Sequence, residues 1–158
     1  MIMKKIAMFL LPAAILAATP AMAAPADSFT GVRVEATAGV DDVTRIPDVT
    51  DITYGAAVGL DTQLTDNVIV GVEGGFDNVF ERTDVAASAR LGYAFNKNVL
   101  GFVKVGYTDF RGLEGIRMGG GVEVNVTNDF YVKAEGRFTE FGGGLERVQG
   151  LVGFGVRF

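Results

Sequence analysis

From Gly31 to Phe158, apolar side chains alternate with polar residues or glycine at a period of two. That is the period of a β-strand, whose successive side chains point to opposite faces. Turn-forming residues cut the alternation into eight segments: roughly Gly31–Val40, Ile52–Leu64, Val68–Asp77, Val85–Asn96, Val99–Thr108, Ile116–Val126, Phe130–Thr139 and Arg147–Phe158. Each has about the 9–11 residues that a tilted strand needs to cross a bilayer. Three breaks are tight and rich in residues that tolerate a left-handed backbone: Thr65-Asp66-Asn67, Asn96-Lys97-Asn98 and Thr127-Asn128-Asp129. The other four, Asp41–Asp51, Asn78–Asp84, Asp109–Gly115 and Glu140–Glu146, are longer. Short turns at one end and longer loops at the other predict an outer-membrane barrel with its short turns in the periplasm.

The two faces differ in charge. One face runs from Val32, Val34, Ala36 and Ala38 in the first segment to Val148, Gly150, Val152, Phe154, Val156 and Phe158 in the last, and carries no charge in any segment. A charge facing lipid at mid-depth costs about 2–4 kcal/mol, so an uncharged face is what a lipid-facing surface requires. The opposite face mixes both signs: Arg33, Glu35, Asp61, Glu73, Arg90, Lys104, Arg117, Glu123, Lys133, Glu135, Arg137, Arg147 and Arg157, with Gln149 among them. A soluble barrel would show the inverse arrangement. Aromatic residues sort to the segment ends, with Tyr93, Phe95, Phe130 and Phe158 near the tight turns and Tyr54, Phe76, Tyr107 and Phe138 near the longer breaks. These are the two interfacial girdles of a membrane barrel. Phe154 and the inward Phe102 and Tyr131 fall outside them. Lipid cannot satisfy a free strand edge, so the first and last strands must pair. The fold class expected is all-β: an eight-stranded antiparallel up-and-down transmembrane β-barrel.

The N-terminus adds export. Lys4 and Lys5 precede the apolar stretch Ile6–Ala18, and Ala21-Met22-Ala23 is a small-x-small cleavage site. Residues 1–23 are therefore expected to be a cleaved signal peptide, with Ala21 and Ala23 as the cleavage residues and 24–158 as the barrel domain. An uncleaved anchor is the alternative, and Pro12 interrupts a run already short for a span. Removing the leader takes two lysines and no acids from a chain of net charge −5, leaving twelve basic residues against nineteen acidic ones, a net charge of −7. Nucleic-acid partners, which need a basic surface, are excluded. The chain has no Cys and no His, which removes disulfides and thiolate chemistry.

The closing third of the chain resembles a known family. The stretches MGGGVEVNVTNDF (Met118–Phe130), VKAEGRFTEF (Val132–Phe141) and GLVGFGVRF (Gly150–Phe158) are similar to the opacity-protein-like surface antigens, small porin-like outer-membrane β-barrels of Gram-negative bacteria. The similarity runs from Gly31 to Phe158 and is weaker in the first half. It implies residence in the cell outer membrane, contact with membrane lipid and lipopolysaccharide, and a final strand read by the barrel-assembly machinery. Val152, Phe154, Val156 and Phe158 match that assembly signal. The chain departs from longer relatives in its short loops and in ending at Phe158 without a peptidoglycan-binding domain.

Candidate chemistry is sparse, and no cofactor is called for. The glycine-rich stretches Gly112–Gly121 and Gly142–Gly144 lack the Gly-Lys-Ser/Thr and following helix of a phosphate loop. Outer-membrane barrel enzymes resembling this one in size use a His, which is absent; Ser88 with Lys104 is the one conceivable nucleophile pair, without a further base. Glu73, Glu123 and Glu135 could be acid/base carboxylates, but their basic neighbours read as an ion-pair network. Asp41, Asp42, Asp48 and Asp51 cluster in the first long break, and their spacing matches no calcium loop, so a solvated charge run is expected and no metal site.

Two functions then compete. One is a structural, surface-interacting barrel with a charge-filled lumen and an unspecified loop partner; the other is a small porin-like channel. An eight-stranded barrel is just wide enough for side chains to fill, which favours the first. Inward glycines (Gly55, Gly59, Gly71, Gly75, Gly119, Gly121, Gly153, Gly155) pull toward the second by making room for water.

Overall fold

The computed structural model describes residues 26–43, 50–79, 82–110 and 112–158. The expected leader, with Ala21 and Ala23, and Asp48 lie outside them. Described residues begin with a short 3-10 turn, Ala26–Phe29, followed by β1 (Gly31–Val43), β2 (Thr50–Gln63), β3 (Val68–Val79), β4 (Arg82–Asn96), β5 (Val99–Phe110), β6 (Leu113–Asn125), β7 (Phe130–Phe141) and β8 (Leu145–Arg157). Each strand pairs antiparallel with the next, and β1 also pairs with β8, so the sheet is a closed barrel in chain order. Val34 stands opposite Val58 on one side and Val156 on the other. Val32 and Phe158 exchange both backbone hydrogen bonds, at 3.1 and 2.8 Å, which fastens the seam at its end.

The alternation does what the pattern demands. Val34, Val58, Val72, Val103, Val132 and Val152 are exposed, and the charged positions between them are buried inside. Tyr93, Phe130 and Phe158 are exposed at the short-turn end; Tyr54, Phe76 and Tyr107 are exposed toward the other.

The strands are longer than the apolar pattern, and this corrects the expected loops. At the end away from the termini, pairing continues past the girdle to Val79↔Arg82, Phe110↔Leu113 and Phe141↔Leu145. Asp41 and Asp51, expected in a loop, are opposite each other in β1 and β2. The described residues of 77–79, 82–84, 108–110, 112–115 and 139–147 thus project beyond the aromatic girdle mostly as paired ribbon. Polar residues keep the ladder there because their backbone groups still need partners and their inward side chains still find charges to meet.

Candidate functional site in the barrel lumen

The interior is built by the inward parity of all eight strands, and it is charged along most of its length. Its middle holds a closed ring of alternating sign. Arg33 contacts Glu35 at 3.0 Å and Glu73 at 2.8 Å; Lys104 contacts Glu73 at 2.8 Å and Glu135 at 2.9 Å. Lys133 reaches Glu135 at 2.9 Å and also pairs with Glu35, closing the circle. The Arg33–Glu73 contact is one of charge without hydrogen-bond alignment. Tyr131 donates its hydroxyl to Glu35 at 2.8 Å.

A second ring lies toward the short-turn end. Asp61, held by Arg33 at 2.9 Å, faces Arg90 at 3.5 Å and Arg157 at 3.9 Å, and both arginines pair with Glu123, at 2.9 and 2.5 Å. Arg90 and Arg157 also lie over the rings of Phe102 and Tyr131, each at 4.8 Å, which gives the two inward aromatics a place in the network.

A third group runs from Glu135 toward the projecting hairpins. Arg137 bridges Glu135 and Asp77; Arg117 bridges Asp77 at 2.9 Å and Asp84 at 2.6 Å; Arg147 bridges Asp84 at 2.6 Å and Asp41 at 2.5 Å. Thr108 donates its hydroxyl to Asp84 as well.

All thirteen charges read from the alternation lie in this one connected network. Asp41, Asp77 and Asp84 were missed, and Asp41 was assigned to a solvated acidic cluster. That assignment is wrong: Asp41 is fully buried against Arg147 and Gln149, whereas Asp42 is exposed. The missed signal was arithmetic. The sequence reading put eight cations inside with only five acids, an imbalance that a narrow interior cannot carry. The three aspartates lie on the inward parity of β1, β3 and β4, beyond the apolar alternation, and bring the described residues of the network to eight of each sign.

Several inward glycines are occupied by these side chains. A Cβ at Gly59 would stand 2.6 Å from the Arg33 guanidinium, and one at Gly71 or Gly155 would overlap the Asp61 carboxylate or the Tyr131 ring. An interior cavity bordered by Thr37, Glu73, Asp77, Arg117 and Arg137 measures about 10 Å³, roughly the space of one water. Satisfaction is incomplete: Arg33 Nη2, Asp41 Oδ1 and the Nε atoms of Arg90, Arg117 and Arg157 are buried without a protein partner, which limits the stability the network confers. The pair Ser88 and Lys104 does not form a nucleophile with a free base, because the Lys104 ammonium is held by two carboxylates. Among the described residues no cluster of metal-ligating side chains occurs.

A closed barrel with an uncharged outer band between aromatic girdles and a charged interior is the grammar of one protein class. The family described as outer membrane protein beta-barrel domain matches residues 9–158. The chain belongs to that family. Its place is the outer membrane of a Gram-negative cell, and the exposed valines and aromatics face lipid. Solved barrels of this family's kind share the fold at low identity. Neisserial surface protein A is 14% identical with a TM-score of 0.57, covering 82% of this chain and 98% of that one. The N-terminal β-barrel domain of Pseudomonas aeruginosa OprF is 18% identical with a TM-score of 0.52, covering 82% and 99%. The Yersinia pestis outer membrane protein Ail is 12% identical with a TM-score of 0.53, covering 80% and 99%. The resemblance to opacity-like surface antigens agrees with this family. No curated protein matches the sequence.

Proposed function

We propose that this outer-membrane barrel is a structural, surface-interacting protein whose lumen is occluded by its own ion pairs. The observation that carries the reading is the single network of eight cations and eight anions running through the interior. A solute would have to break several buried pairs at once, and leaving one partner of such a pair unmatched costs about 3–5 kcal/mol. Glycine sites, which argued for a water passage, favour occlusion where neighbouring side chains fill them, as at Gly59, Gly71 and Gly155.

The end bearing the short turns and both strand termini is assigned to the periplasm, and the projecting hairpins to the cell surface, in contact with lipopolysaccharide or an external partner. The outward residues of β8, Val152, Phe154 and Val156, with Phe158 just after it, are assigned as the signal that the barrel-assembly machinery reads. No catalytic role is assigned to any residue.

Planar-bilayer recording tests the occlusion. Purified wild-type barrel is expected to pass no steady current, with lipid hydrolysis assayed alongside and absent. Large steady wild-type currents would overturn the reading in favour of the porin-like alternative.

A further inference from the structure

The short turn before β1 enters the barrel it precedes. Phe29 is fully buried, and its neighbours in the buried apolar cluster are Ala26, Ile69, Ala94 and Leu100. Ile69, Ala94 and Leu100 have inward parity on β3, β4 and β5, so this cluster fills the short-turn mouth of the lumen. The charged rings give way to apolar packing there. Arg157, the last inward cation, has its guanidinium 5.6 Å from the Phe29 ring centre.

The turn is also pinned across the opening. Ala26 donates its backbone N–H to the Asp66 carbonyl at 2.7 Å, in the β2–β3 turn. The Asn125 side-chain amide donates to the carbonyls of both Ser28 and Lys97 at 3.2 Å, tying the turn to β6 and to the β4–β5 hairpin. Arg157 in turn donates to Asn125 Oδ1 at 3.3 Å. A four-residue segment that only linked a leader to a strand would need neither a buried phenyl ring nor anchors on three hairpins.

We propose that Ala26–Phe29 is a stopper, inserted by the chain into the periplasmic mouth of its own barrel, with Phe29 as the plug and Asp66, Asn125 and Arg157 as its mounts. It seals the lumen independently of the ion pairs above it. The inference deepens the occluded-lumen reading and rests on it for calling this end periplasmic.

The chain has no cysteine of its own, so Leu100→Cys places a sole thiol under Phe29. Folding is checked by the heat-modifiable gel shift, and the thiol is then titrated with a small charged methanethiosulfonate. Leu100→Cys alone should label slowly. Adding Phe29→Ala should speed labelling at least about tenfold, the factor expected when one large apolar side chain loses its burial. Equal rates in the two barrels, fast or slow, overturn the stopper. Should the double variant fail to fold, hydrogen exchange on the wild type decides: the Ala26 amide is expected to be protected, and exchange at the free-peptide rate overturns the proposal. Conductance separates the two readings. A barrel carrying both Leu100→Cys and Phe29→Ala that labels fast but passes no current has lost its stopper and kept its network. A Leu100→Cys barrel that labels fast with Phe29 intact overturns the stopper whatever it conducts.

Discussion

Glu73 touches two cations, Arg33 and Lys104, and Arg117 touches two anions, Asp77 and Asp84. Truncating either leaves two buried charges short of a partner. Glu73→Ala and Arg117→Ala should each destabilise the folded barrel by about 3–5 kcal/mol, read as an earlier midpoint in urea unfolding, while Asp42→Asn on the exposed parity of β1 should change it by less than about 0.5 kcal/mol. A smaller or equal loss for Glu73→Ala than for Asp42→Asn would contradict the buried-pair account. Reversing a pair tests its geometry: Arg90→Glu and Glu123→Arg should each be severe alone, and the double variant should recover about 0.5–3 kcal/mol of their summed cost. Strict additivity would mean that the two side chains are not coupled. At this scale much was legible, since parity alone assigns a side chain to one face. What parity could not say is how far it continues. Asp41, Asp77 and Asp84 stand at or beyond the edges of the apolar alternation, where the inward parity still runs on.

The strands carry two kinds of information along their length. Their outward valines set the span in lipid, and Val103→Arg at mid-depth should cost about 2–4 kcal/mol, a loss that refolding yields in vesicles would register; a neutral Val103→Arg would place that face away from lipid. The last strand has a distinct task under our assignment. Deleting Phe158 should lower the fraction of barrel that runs as the heat-modifiable band, and unchanged assembly would count against the signal. The deletion also removes the two backbone bonds to Val32 at the seam, so a stability measurement on the refolded fraction separates poor recognition from a weak joint. Strand starts and ends at the short turns were readable because Thr65-Asp66-Asn67, Asn96-Lys97-Asn98 and Thr127-Asn128-Asp129 are turn chemistry. At the other end the breaks looked like loops, because polar composition is shared by loops and by paired ribbon outside the membrane. Only the ladder distinguishes the two.

For the molecule as a whole, closure converts eight half-polar strands into an object with an inside. The period-two pattern, the uncharged face and the paired aromatic girdles determined by themselves that the chain is a membrane barrel of eight strands, because lipid tolerates neither an outward charge nor an open edge. They also placed thirteen charges on the inward face. The tertiary structure decided the rest. Which acid meets which base depends on register between neighbouring strands and on distance across the barrel, as with Arg33 and Glu73 or Arg157 and Asp61, and neither is written in any one segment. The fate of the inward glycines was likewise a matter of who stands opposite: Arg33 over Gly59, Tyr131 over Gly155. The Ala26–Phe29 turn had no periodicity to betray it, for a plug is defined by the mouth it fills, and that mouth exists only once β1 and β8 have met.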